Sequence, residues 1–138
     1  MSSAIFTSAI EDVIAGHINF DVDTFKLLLT LNYLPDLAVH SRRSQISGEV
    51  AGSGYVLGGN VITVSVFRDT SVDEIRVSFG DTSWLTSSLD ATGAVIYKSR
   101  GGAASADELV AYLDFGSHKI STAGLFSLTF NKPLTFRV

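Results

Sequence analysis

The sequence predicts a mainly β protein: an antiparallel, jelly-roll-like β-sandwich preceded by a short N-terminal α-helix. Three observations predict it. From residue 24 onward, apolar side chains recur with a period of two in seven to nine short runs. Glycine, asparagine or aspartate punctuates the gaps, as turns require. Only the first 16 residues carry helical spacing instead. With 138 residues, no internal repeat and no shift in composition, the chain reads as one domain, helix over 1–16 and sandwich over 17–138.

The elements follow in order. Ser2 or Ser3 caps the helix, Ile5, Phe6, Ala9, Ile10, Val13 and Ile14 form a wide apolar stripe, and Gly16 stands where a left-handed C-cap ends it. In "TFKLLLTL" Phe25, Leu27, Leu29 and Leu31 share one face. "NVITVSV" aligns Ile62, Val64 and Val66, and "EIRVSFG" turns Ile75, Val77 and Phe79 inward with Arg76 and Ser78 outward. "SWLTSSL" alternates weakly. "GAVIYK" and "LVAYLDF" are apolar on both faces, as central or interface-facing strands are. "LFSLTF" gathers Phe126, Leu128 and Phe130, Asn131–Lys132–Pro133 turns the chain, and Leu134, Phe136 and Val138 close the last strand. Two segments are irregular: 32–48, holding Pro35, His40 and Arg42–Arg43, and the Gly/Ala/Ser-rich loop 99–107. That loop is either a plain surface hairpin or a tip that orders against a partner.

Hydrophobic residues make up 46% and charged residues 17%, a balance poor enough in charge to predict apolar surface held in an interface. The net charge of −4 and the scattering of lysine and arginine, adjacent only at 42–43, exclude a phosphate-tracking surface for nucleic acid. No cationic start followed by an unbroken apolar run marks a signal peptide, and no stretch is long enough to span a bilayer. The expectation is a soluble, non-secreted chain without a membrane partner. With no cysteine, stability must come from packing or assembly.

Chemistry-bearing patterns are sparse. His17, His40 and His118 lie far apart, so no metal site is expected. "NFDVDT" at 19–24 spaces Asn19, Asp21 and Asp23 like the start of a calcium loop but lacks the glycine and glutamate that complete one. The glycines of "GSGY" and "GGN" have no following lysine or helix to make a phosphate cradle. No serine sits in G-x-S-x-G. No catalytic residue, cofactor or enzymatic activity is expected. Trp84, Tyr55, Tyr97 and Tyr112 read either as core and interface anchors or as a sugar-stacking platform.

Read in order, "INFDVDTFKLLLTLNYLPD", "GEVAGSGYVLGGNVITV", "VSFGDTSWLTSSLDATGAVIYK" and "LVAYLDFGSHKISTAGLFSLTF" resemble a family of small virion structural proteins of tailed bacteriophages. The resemblance runs over roughly residues 10–138 and departs at Leu34–Pro35 and in 37–47. It implies a rigid corner built by Glu49, Val50, Gly52, Gly54, Tyr55, Gly58 and Gly59, and a core anchor at Trp84. Tyr97 and Lys98 would end a strand beside the small-residue loop. Tyr112, Asp114, Phe115 and Gly116 would form the exit of its partner strand, Asp114 capping the turn. It implies no catalytic residues. The function expected is capsid decoration, or cement, in the virion: a homo-oligomer, a trimer in the first instance, bridging the major capsid protein or another virion protein. Tail, neck or fibre-attachment roles and a carbohydrate-binding host-surface module are the alternatives. The expected contacts are Ile5, Phe6, Ala9 and Ile10 on the helix, Arg42 and Arg43 in the long connection, and Arg100, Gly101 and Gly102 with the small residues after them.

Overall fold

The structure, a computed structural model, describes residues 2–137, and of residue 137 the backbone only. Its elements are β1 (Ser2–Ile5), α1 (Thr7–Ile14), β2 (Phe25–Thr30), β3 (Asn60–Ile62), β4 (Val64–Asp69), β5 (Glu74–Phe79), β6 (Thr82–Ser87), β7 (Asp90–Lys98), β8 (Leu109–Ile120), β9 (Gly124–Leu128) and β10 (Leu134–Arg137). The protein is mainly β, with antiparallel sheets and one short helix. The strands form a five-stranded sheet in the order β1-β8-β7-β2-β3, a three-stranded sheet β10-β5-β4 and a two-stranded sheet β6-β9.

The helix is shorter than the sequence predicts. Ser2–Ile5 is a strand, paired residue for residue with Ala111–Asp114. The edge of β8 offers these four residues backbone partners that the first turn of a helix lacks. Phe6 turns the corner, its N–H donating to Val110 O at 3.1 Å, and α1 begins at Thr7 with no side-chain cap. The helix ends near Gly16, whose φ is +82°. Met1 and Val138, assigned to the expected helix and last strand, lie outside the described residues. The run "NVITVSV" also divides: β3 pairs with β2, β4 pairs with β5, and Thr63 between them carries the chain from one sheet to another. Its carbonyl accepts the Gly80 N–H at 2.8 Å.

The five-stranded sheet is covered on both faces by its own chain. On one face Phe25, Leu27, Leu29, Ala94, Ile96 and Leu113 pack with Trp84, Phe126 and Leu128 of the two-stranded sheet, and Val64 and Phe79 lie against them. On the other, Leu28, Val95, Tyr97 and Leu109 pack with Phe6, Ala9 and Tyr33, flanked by Leu37 and Ile46. An extra residue in β8 keeps these faces in phase, since Tyr97 stands opposite Leu109 but Ile96 opposite Ala111. This is why "GAVIYK" and "LVAYLDF" are apolar on both faces. They are central strands.

Candidate interaction surfaces

The expected contact residues separate into two groups. Phe6 and Ala9 are buried within the chain, Phe6 with no exposed surface. Packing under Tyr33 and Val95 withdraws both from any partner. Ile5 is half-buried, and Ile10 stays 46% exposed. On the same helix Ile14 is 81% exposed.

The three arginines end in ion pairs within the chain. Asp107, 1% exposed, accepts from Arg43 Nε at 2.7 Å and from the Arg100 backbone N–H at 2.9 Å. Glu108 takes Arg100 Nη2 at 2.6 Å, and Arg42 Nη1 reaches the buried Asp12 at 3.4 Å. Lys98 pairs with Asp23 at 2.9 Å and donates to His17 O at 2.6 Å. These contacts bind loops 17–24, 41–45 and 99–108 to one end of the central sheet. Burial alone would push the Glu108 carboxyl up, but hydrogen bonds from Arg100 and the Glu108 backbone, with the charges of Arg100 and Lys98, hold it below the ordinary glutamate range. At Arg43 burial works against the charge, and the Asp107 carboxylate outweighs it and raises the guanidinium's pKa. The small-residue loop is tied within the chain by Asp107 and by the turn Ala104–Ala106. Gly101 and Gly102, with no neighbour near a Cβ position, are its open tip.

The glycine corner departs from the central sheet and returns to it. Gly48 and Val50 bond β2 through the Leu31 N–H to Gly48 O (2.7 Å) and the Val50 N–H to Leu29 O (3.0 Å), and β3 rejoins the same edge twelve residues after Gly48. Between them Tyr55 reaches back to the sheet, its hydroxyl accepting the Leu29 N–H at 3.1 Å and donating to Glu49 Oε2 at 2.7 Å. The same carboxylate oxygen takes the Gly58 N–H at 2.6 Å. Burial first, and Glu49 second, push the Tyr55 phenol strongly upward, so it stays a donor at neutral pH. Tyr97, raised to about 12 chiefly by burial, donates to Gly58 O at 2.6 Å. Gly52 and Gly54 lie against the backbone of 86–88.

The four expected platform rings do not form one face. Trp84, 4% exposed, packs between Tyr55 and Phe126 at centroid distances of 5.8 and 5.9 Å, whereas Tyr97 and Tyr112 belong to the opposite side of the central sheet. A buried indole offers no sugar a surface. In β8, Asp114 Oδ1 accepts the Gly116 N–H at 2.9 Å, and Gly116 takes a φ of +77° where the pairing with β7 is interrupted. Phe115 lies inside.

The histidines are separately partnered: His17 with Asp12 at 3.1 Å, His40 with Tyr33 at 2.7 Å and His118 with Asp90 at 2.8 Å. Asp23 accepts the Asn19 N–H at 2.7 Å and Asn19 Oδ1 accepts the Asp21 N–H at 3.0 Å, a turn closed on itself. Among the described residues no group of three or more His, Cys, Asp or Glu is placed to hold a metal ion. Two open clefts flank the molecule, about 630 Å³ between the end of β8 and β9, and about 610 Å³ between β1 and residues 130–134.

The surface that sequence reasoning missed is the β4–β5 hairpin. Val66 is 45% and Phe67 57% exposed, on opposite faces of β4. Phe67 lies under the Arg76 guanidinium at 6.0 Å, and Arg76 also binds Asp69 and Glu74 at 2.9 and 3.0 Å. The signal was present: "VSVF" sets Phe67 at the position in phase with Ser65, where a strand with one buried face carries a polar residue. Comparison with protein-family models, curated proteins and solved structures gives no match to this chain.

Proposed function

We propose that this chain is a non-enzymatic structural protein of a tailed-phage virion, a capsid decoration or cement protein that assembles with itself and stabilises the head. The observation that carries the reading is the ordered series of motifs from Ile18 to Phe130 that resembles small virion proteins. The exposed apolar side chains Ile14, Phe67 and Leu85 support an adhesive role. In this reading the five-stranded sheet and the two smaller sheets stack as the layers of a jelly-roll-like sandwich. Adhesion then works by area: each contact contributes about 25 cal/mol per Å² of apolar surface before ordering costs, and repetition over a shell multiplies weak contacts.

The test is the position and copy number of the protein in intact particles. Density on the capsid lattice, at a copy number on the scale of the capsid subunits, is the expected result. A small complement on the tail axis would assign it to the tail or neck instead. Absence from purified particles would overturn the proposal.

A further inference from the structure

We infer that the outer edge of β4 is a docking strand for a second copy of this chain, the two pairing antiparallel about a twofold axis midway between the two copies of Phe67. The inference rests on the reading of the chain as a self-assembling virion component.

β4 ends its sheet, so among the described residues the backbone groups along its outer side have no strand partner. Val66 and Phe67 project from opposite faces beside that edge, both widely exposed. A partner laid over one face would cover only one of them. A strand added at the edge extends both faces together, and so covers part of each.

The occupant follows from the side chains. A twofold axis relating antiparallel strands stands perpendicular to the sheet, so residues of like parity lie opposite each other and the axis passes midway between one residue and its own copy. Centred on Phe67, the pairing sets Phe67 against its own copy on one face, with Ser65 opposite Asp69. Asp69 already accepts from Ser71 and Arg76 and has a lowered pKa, so it presents a carboxylate to the incoming hydroxyl. On the other face Val66 meets the aliphatic stem of Arg68. Centring on Arg68 opposes two guanidinium groups. Centring on Ser65 or Val66 sets Phe67 against Thr63 or Ser65 and leaves Asp69 beyond the pairing. One register therefore matches every exposed group of β4, and the contact is isologous: two copies, not the three expected from the sequence.

The chain has no cysteine, which makes the register testable directly. Ser65→Cys and Asp69→Cys variants, mixed under mild oxidation, should form disulfide-linked dimers far faster than either variant alone, because only the mixture brings a cysteine opposite a cysteine. Sedimentation of the unmodified chain at micromolar concentration should show a dimer. Phe67→Lys should raise its dissociation constant at least about tenfold. Leu125→Lys, comparably exposed at 60% but on β9, should leave it unchanged. A monomer, a trimer, or equal cross-linking by the single variants would overturn the inference. The two readings fail separately. A monomer that still coats phage heads removes the edge contact and keeps the virion role; a dimer absent from particles does the reverse.

Discussion

At the scale of single residues, close backbone approach decides what the corner tolerates. Gly59 has a φ of +78°, and a Cβ there would lie 1.8 Å from Leu27 O. Gly101 has the same φ with nothing within 4 Å. Gly59→Ala should therefore cost more than about 2 kcal/mol, from strain and collision together, and Gly101→Ala about 1 kcal/mol from strain alone, as read from denaturant midpoints. Tyr55→Phe removes the acceptor of the Leu29 N–H and a donor to Glu49, and should cost about 1–3 kcal/mol. Titration follows from the carboxyls of Glu108 and Asp23. Both are held below their ordinary values against the opposing effect of burial, Glu108 by Arg100 and Asp23 by the Asn19 N–H and Lys98. The unfolded chain then binds their protons first, so this part of the stability is fully present above the ordinary glutamate value of 4.5 and is lost as pH falls through the lowered values. Thermal melts should fall steadily below that pH, and Arg100→Gln should flatten the Glu108 part of the decline. A melting temperature independent of pH in that range would contradict the assignment.

At the scale of elements, what could be read from the sequence depended on how local its cause is. The alternation of Phe25, Leu27 and Leu29 in β2 and of Phe126 and Leu128 in β9 comes from side chains that face one core, and a period of two shows it directly. The doubly apolar runs of β7 and β8 carried their meaning too, because covering both faces of a sheet leaves no polar phase. Four features had causes elsewhere in the chain. Ser2–Ile5 is a strand only because Ala111–Asp114 lies beside it, and nothing in "SSAI" encodes a partner more than a hundred residues away. The break at Thr63 between β3 and β4 depends on Gly80, where a Cβ would meet the threonine hydroxyl. Phe6 and Ala9 shared a stripe with Ile10, and spacing alone could not tell which of them meets the central sheet. Arg42, Arg43 and Arg100 looked like free cations for the same reason: their acids, Asp12, Asp107 and Glu108, are distant or lie in another run. A truncation series separates the two sides of the helix. Phe6→Ala should cost about 3–5 kcal/mol through the cavity it leaves, and Ile14→Ala under about 0.5 kcal/mol, both from equilibrium unfolding.

At the scale of the whole molecule, the low charge content is divided between two uses. Part of the apolar excess lies in the second core face, where α1 and the 33–46 connection close over β2, β7 and β8. The remainder is exposed at the hairpin edge and at scattered sites such as Leu34 and Leu85. A chain that fills both faces of its central sheet does not need assembly in order to fold, and its contacts with other copies fall to edges. Hydrogen exchange followed residue by residue, in dilute and in concentrated protein, tests this division most directly. The account predicts that amides of β2, β7 and β8 are the most protected and equally so at both concentrations, while β4 gains protection only when concentrated. Strong exchange in β7 and β8 of the dilute protein, disappearing on concentration, would show that a partner and not this chain completes the central sheet, and would contradict it.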